Sequence, residues 1–537
     1  MQLKKLYFIF AIAIVFFSCR KEKTYWDADF VAPVASSSLN LSNLFPDTLL
    51  TTNANGSLKI EIESDLFSYT ADSLLELPDT TIYNFITTLF PFPGSYFTYQ
   101  PGQSFDMNPQ NEITFDIANG VKLKEAIIRS GKLRLLIKNP LRQPANFRCS
   151  VTSATKNGIP LSIIIPMAPG TAANPFIKDT LVDVSDYKIN FSGPAGNKTN
   201  TIFQALSLDI LTTAVADTFK YNDSLKSYIT FVDLVPEYGR GYFGTQVIQV
   251  GPDTTAFDIF NQISSGSLGL DSAEIKLTII NQFGVDLRST INNLKSVNPS
   301  NGSVSLTGAN IGTSFNVGRA IATGIPTSPV VETVKQLTYN QSNTNINSFI
   351  GNLPKQIVYD LNANLNPLGN ISGFNDFVHY GTSLKARMNA YVPLRFSANN
   401  IVLRDTTEFN ATALEEQLGN INEGFLLMRA NNSYPFSLKI TAVLLDENNN
   451  QLESLIAAPD NEIQAPLLDA NNIVVASKET FLKIPFDKGK LESIVKAKKI
   501  AYYIEFNTAN SPASITFYNH YKLDLLLTAD FNYTLNK

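Results

Sequence analysis

Histidine is almost missing from this chain: His379 and His520 are the only two among 537 residues. Two histidines leave little material for a zinc site or a His-based triad. Both sit among aromatics, in Phe377-Val378-His379-Tyr380 and Asn519-His520-Tyr521, where satisfied structural histidines are expected. Neither Gly-x-Ser-x-Gly nor His-Glu-x-x-His occurs. Cysteine is as scarce, with Cys19 and Cys149 alone, and tryptophan occurs once, as Trp26. No basic excess is present either. A formal net charge of −5, with charged residues at 17%, excludes the basic face of a nucleic-acid binder. Catalytic residues, cofactors and metals are all expected to be none.

Long apolar runs are missing too, with one exception at the start. Met1-Gln2-Leu3-Lys4-Lys5 is a short positive region, and residues 6–17 are continuously apolar. At about 1.5 Å per residue this run is too short for the ~20 residues of a membrane span, so it reads as a removable signal peptide over residues 1–18. It ends in Phe16-Phe17-Ser18-Cys19, which resembles a lipobox, in which the cysteine thiol takes a diacylglycerol and becomes the mature amino terminus. The Phe-Phe-Ser-Cys form resembles exported lipoproteins of the Bacteroidota, and the resemblance implies lipidation at Cys19. Acyl chains, at roughly 0.8 kcal/mol per buried CH₂, would hold the chain to a membrane without a protein helix. Arg20-Lys21-Glu22-Lys23 partly resembles the signal that sends such lipoproteins to the cell surface, leaving surface and periplasmic faces of the outer membrane both open. Losing Lys4 and Lys5 with the signal takes the net charge from −5 to −7. Cys149 is then without a disulfide partner. Alternation in Asn146-Phe147-Arg148-Cys149-Ser150-Val151 puts it on a buried face as an inert thiol.

What is plentiful is the material of strands. Short segments rich in Val, Ile, Thr, Tyr and Phe alternate with Asn, Gly, Asp and Pro clusters, the pattern of sandwiches or barrels. The expected fold is all-β, with tandem immunoglobulin-like β-sandwich domains and few short helices. Residues 357–366 show the cleanest alternation, with Tyr359, Leu361, Ala363 and Leu365 on the core face. A helix is expected over 488–499, covering one end of a sheet with Leu491, Ile494 and Val495. A weak repeat relates residues 132–140, 274–281 and 425–431, each an apolar strand followed by an asparagine (Asn139, Asn281, Asn431) and a second strand. The first copy, with Asn139-Pro140, resembles immunoglobulin-like modules of the late-embryogenesis type. These features suggest a tether over 19–35, whose segment from Tyr25 to Pro33 tucks under the first domain. An N-terminal β region over 36–265 then includes a sandwich near 126–215, followed by a middle sandwich over 266–415 and a C-terminal domain over 416–537.

Gly239-Arg240-Gly241-Tyr242-Phe243-Gly244 spells GxGxxG after a strand, but residues 245–250 are β-branched and alternating where a nucleotide site needs a helix, so a glycine-rich hairpin is expected. Asp446-Glu447-Asn448-Asn449-Asn450 has alternating oxygen ligands but Gln451 and Ala457 where a calcium loop needs Gly and Glu; it reads as a hairpin turn. One pattern exceeds chance. Asp, then Ser or Thr, then an aliphatic, Ala or Thr residue occurs at eight of 28 aspartates, placing hydroxyls at Thr48, Ser73, Thr80, Thr180, Ser224, Thr254, Ser272 and Thr406. The triplet resembles the O-glycosylation acceptor of exported Bacteroidota proteins; the alternative is that Asp-Ser/Thr caps the turns that lead into strands. Over most of its length the chain resembles uncharacterised multidomain lipoproteins of that phylum. The resemblance implies a non-catalytic binding or structural role in the envelope, with the membrane, envelope proteins or glycans as partners and no nucleic acid. The alternatives are a surface glycan-binding lipoprotein of a polysaccharide-uptake system and a hydrolase with two carboxylates about 5–9.5 Å apart.

Overall fold

The computed structural model describes residues 25–536, apart from 44, 88–92, 222, 262, 264–265, 324–329, 417–420 and 509–513. The expected signal peptide, Cys19 and the Arg20 to Lys23 segment lie outside the described residues. The described chain is all-β. Alternation does what it should: Gln356–Leu365 buries Ile357, Tyr359, Leu361, Ala363 and Leu365 and turns the intervening residues outward. The helix near the C-terminus runs Lys488–Lys496, with its first turn capped by Asp487, whose carboxylate accepts the Lys490 N–H at 2.9 Å. It buries Leu491 and Ile494.

The principal described strands form three sandwiches, each with two four-stranded antiparallel layers. We name them inner, middle and outer. In the inner one the layers are joined by Lys188–Asn190, which pairs with Lys122–Asn139 and Ala145–Lys156. In the inner sandwich one sheet runs Thr80–Thr87, Ser224–Tyr242, Lys122–Asn139, Phe176–Asp183. Its second sheet runs Ser104–Thr114, Thr201–Ile210, Ala145–Lys156, Ile159–Met167. The middle sandwich repeats the order with Leu58–Thr70, Ser383–Pro393, Glu274–Asn281 and Thr333–Asn340. Its second sheet has Gln246–Ala256, Gln356–Leu365, Leu287–Asn298 and Gly302–Ser305. The outer sandwich has Tyr25–Asn40, Lys522–Asn536, Ile421–Asn432 and Lys478–Phe486. Facing them are Ile401–Glu408, Lys499–Phe506, Leu438–Leu445 and Gln451–Ile456.

The three are nested rather than consecutive. Their first strands appear along the chain in the order outer, middle, inner. The inner sandwich occupies 80–242 without interruption, inserted between Leu58–Thr70 and Gln246–Ala256 of the middle one. The middle one is inserted in turn between Tyr25–Asn40 and Ile401–Glu408 of the outer one. This departs from the linear division at 265/266 and 415/416 and corrects one further detail. The segment from Tyr25 is an edge strand of the outer sandwich instead of part of a tether under the first domain. It also pairs with the C-terminal strand, Phe30 opposite Phe531 with rings 5.4 Å apart. Periodicity reports that a strand has a buried face; it does not report which sheet that face joins.

One corner is built three times. Asn139, Asn281 and Asn432 are fully buried at strand ends, and in each copy the next strand starts six residues later. Each side-chain oxygen accepts the N–H two residues on, from Leu141 at 3.0 Å, Phe283 at 2.9 Å and Tyr434 at 2.8 Å. Each amide nitrogen donates to a carbonyl of a distant segment: Ala168, Gly318 or Gln464. In the last two copies it also donates to the carbonyl four residues on, Val285 or Phe436. A buried amide must have such partners. The repeat expected from sequence is therefore physical, with Asn432 in place of Asn431 in the third copy.

Candidate ligand-binding end of the inner sandwich

Antiparallel neighbours reverse direction, so four connections leave each sandwich at the same end. In the inner sandwich they are residues 88–103, 140–144, 168–175 and 211–223. The first of these connections holds the middle sandwich in the outer one, and the inner sandwich in the middle one. In the inner sandwich it holds no further sandwich. Within its described part, Tyr96–Tyr99 forms a two-stranded ribbon with Asp217–Lys220 of the last connection.

Beside this ribbon the four connections border an open hollow of about 700 Å³, lined by Tyr96, Arg142, Thr171, Lys220, Tyr221 and Asp223 among others. That lies within the range of small-ligand sites. Arg142 holds the loops together. Its guanidinium donates to the Thr218 carbonyl at 2.6 Å and to Asp217 at 3.3 Å, and lies 3.8 Å from the buried Asp223. Asp223 also accepts the Lys220 N–H at 2.9 Å. Burial works to raise the Asp217 carboxyl, but the Thr218 N–H and the Arg142 guanidinium outweigh it and hold the group below its ordinary value. Tyr99 is buried beneath, its hydroxyl without a hydrogen-bond partner among the described residues; burial, helped by the Asp217 charge, pushes it up to about 12. At the rim the balance reverses. Tyr96 is 66% exposed, and Phe97 and Tyr221 are exposed beside it. Both carboxylates here serve one guanidinium, an arrangement that fixes loops; it does not set an acid and a base across a bond to be broken. A smaller hollow of about 250 Å³ lies at the corresponding end of the middle sandwich, lined by Asp286, Arg288 and Asn366 among others.

The residues singled out from sequence are dispersed. None of the eight triplet hydroxyls is buried: Thr48, Ser73, Thr254 and Thr406 are exposed, and Thr80, Thr180, Ser224 and Ser272 half-buried. Several of their aspartates have structural tasks. Asp79 accepts the Asp233 N–H at 2.9 Å, Asp179 pairs with Arg134, Asp253 accepts the Thr254 N–H at 2.7 Å, and Asp405 accepts the Ser37 hydroxyl at 2.6 Å. Of the eight triplets, Asp223-Ser224-Leu225 alone reaches the hollow, through Asp223. Cys149 is fully buried, and burial pushes its thiol up to about 12. His379 packs against Tyr238 at 4.8 Å and Phe377 at 5.8 Å, with burial lowering its pKa. Its Nε2 has no hydrogen-bond partner among the described residues, so it fills space and is not the satisfied histidine expected. His520 is exposed beside Tyr518 and Tyr521.

Of the GxGxxG residues, Gly239 and Gly241 lie in a strand and are followed by another strand; a side chain at Gly241 would run into the Lys122 carbonyl, and one at Gly244, whose φ is +74°, into that of Asn119. The Asp446 loop closes on itself, the carboxylate accepting the N–H groups of Asn448 at 2.9 Å and Asn450 at 2.8 Å. Among the described residues no group of three His, Cys, Asp or Glu is placed to hold a metal, and no helix is long and apolar enough to cross a membrane. Sequence reasoning passed over the hollow entirely. The signal available was Tyr96-Phe97-Thr98-Tyr99, four strand-forming residues between Pro93-Gly94 and Pro101-Gly102.

No family model matches the chain, and no curated protein matches it. Among solved structures it is similar to a Parabacteroides distasonis protein described as secreted, with 10% identity over 94% of this chain and 99% of that one, at a TM-score of 0.29.

Proposed function

We propose that the chain is a non-catalytic lipoprotein of the cell envelope, tethered to the outer membrane through Cys19, that presents the loop end of its inner sandwich to a ligand. The nesting is the observation that carries this reading. The strand nearest the expected lipid belongs to the outer sandwich, and each further unit leaves from the loop end of the one before it. The loop end of the inner sandwich is thus the last in the series, and it carries the hollow and an exposed apolar rim. Contiguous exposed apolar surface of this kind is characteristic of binding sites.

A photo-reactive amino acid at Tyr96, 66% exposed on the rim, tests it in native cells. It should give a cross-linked adduct, while the same probe at Leu467, 77% exposed on the outer sandwich, gives none. Adducts at both positions or at neither would remove the reading. Glycan capture is a second reading, favoured by the ring faces of Tyr96 and Tyr221 beside hydroxyls of Thr171 and Thr218. Mass spectrometry of the adduct separates saccharide from polypeptide.

A further inference from the structure

One arrangement occurs three times in the molecule, and its third occurrence is incomplete. In each sandwich, the segment leading into the first strand of the second sheet pairs with a short strand in the last connection. In the outer sandwich Arg395–Asn399 pairs with Ile515–Thr516. In the middle one residues 238–241 pair with Asp376–His379. In the inner one Tyr96–Tyr99 pairs with Asp217–Lys220. The far side of that segment differs. In the outer sandwich Ser267–Leu270 adds a third strand there, and in the middle one residues 123–127 do, both antiparallel. In both cases the third strand comes from the next unit inward, just before or at the beginning of that unit's third principal strand, Glu274–Asn281 or Lys122–Asn139. The inner sandwich contains no further unit, and no described residue pairs with the far side of Tyr96–Tyr99.

The open edge has the groups a strand requires. The Tyr221 N–H donates to the Ser95 carbonyl at 3.1 Å, so by the antiparallel alternation Phe97 and Tyr99 turn their backbone groups into the ribbon. Tyr96 and Thr98 turn theirs outward. Tyr96, Phe97 and Thr98 are all exposed, and an edge that no described residue covers is a template for another strand. We propose that this edge receives an extended segment of a partner protein as an antiparallel third strand. The proposal rests on the reading of this end as the binding end. The occupant is specified by the filled copy in the outer sandwich. Ser267-Leu268-Gly269-Leu270 buries both leucines and exposes the other two residues, so the partner segment carries apolar residues at alternate positions, while backbone hydrogen bonds supply the pairing.

A phage-displayed peptide library, selected on the mature full-length chain carrying Cys19→Ser, tests this. Selected peptides should show alternating apolar residues and bind Thr98→Pro at least about tenfold more weakly, because proline removes an outward N–H and its ring obstructs the edge. Thr98→Pro could also disturb the ribbon, so exchange is measured on the unmutated chain as well. Bound peptide should slow hydrogen exchange at the Tyr96 and Thr98 amides and leave that of Phe97, already bonded, unchanged. Peptides that bind without slowing those two amides overturn strand addition. So does an array on which only glycans are retained, or a dimer in sedimentation that Thr98→Pro abolishes, which would assign the edge to a second copy. Ligands lost with Tyr96→Ala and Tyr221→Ala but indifferent to Thr98→Pro would leave the binding end standing without the added strand; no binding at this end would remove both readings.

Discussion

At the scale of the residue, the corner asparagines are the most demanding positions. Asn432 satisfies one N–H and two carbonyls at zero exposure. Truncating it strands those partners away from water, which should cost about 2–4 kcal/mol. Its neighbour Asn431 points the other way and is half-buried. Asn432→Ala should therefore lower the denaturation midpoint clearly, and Asn431→Ala should stay within about 0.5 kcal/mol of the parent chain. Equal losses would refute the assignment of the corner to Asn432. The motif was legible in the sequence as an asparagine ending an apolar strand. The register of the third copy was open to the same reasoning: Leu426, Met428, Ala430 and Asn432 form one alternating set, all buried. What was hidden is the reach of each amide to Ala168, Gly318 or Gln464, because no local pattern encodes a partner some thirty residues away.

At the scale of the element, regular pieces and loops part company. The strand Gln356–Leu365 and the helix Lys488–Lys496 announce themselves through periods of two and of 3.6. The ribbon of the inner sandwich does not. Its strands are four residues each, too short for a period, and its geometry depends on Arg142, Asp217 and Asp223 arriving from two different connections. That dependence gives the ribbon a pH response. Asp217 has its carboxyl held below the ordinary range in the folded chain. Its contribution is therefore fully present above the ordinary carboxylate pKa and is lost as pH falls through the lowered folded value. Asp217→Asn should cost about 1 kcal/mol near neutrality, after allowance for partial solvent screening. The gap from the parent should close as pH drops below the carboxylate range, where the parent is itself protonated. Melting temperatures of the two chains across that range measure the gap; one that stays constant to acid pH would show that Asp217 does not act through its charge.

At the scale of the whole molecule, connectivity decides what can fold alone. The inner sandwich is the one whose eight strands are contiguous, from Thr80 to Tyr242. An inserted domain can keep its own core when its first and last strands are neighbours, and here Thr80–Thr87 is paired along its length with residues 224–231 of Ser224–Tyr242. Residues 71–245 expressed alone should give a sharp thermal transition. The linear divisions should fail for a specific reason. Residues 266–415 omit Leu58–Thr70 and Gln246–Ala256, which leaves Ser383–Pro393 and Gln356–Leu365 as uncovered edges over an open apolar face. Residues 416–537 omit Tyr25–Asn40 and Ile401–Glu408 and expose Lys522–Asn536 and Lys499–Phe506 in the same way. Both fragments should aggregate or unfold without cooperativity. Restoring the missing pieces tests the nesting directly: residues 25–40 joined by a flexible linker to 401–536 should recover a cooperative transition that 416–537 lacks. Recovery also requires that the apolar loop end around Tyr434 and Phe517, normally covered by the middle sandwich, tolerate water. A control with 25–40 in scrambled order carries the same linker and composition but cannot make the pairing of Phe30 with Phe531. If that control recovered as well, the N-terminal strand would not be what completes the outer sandwich.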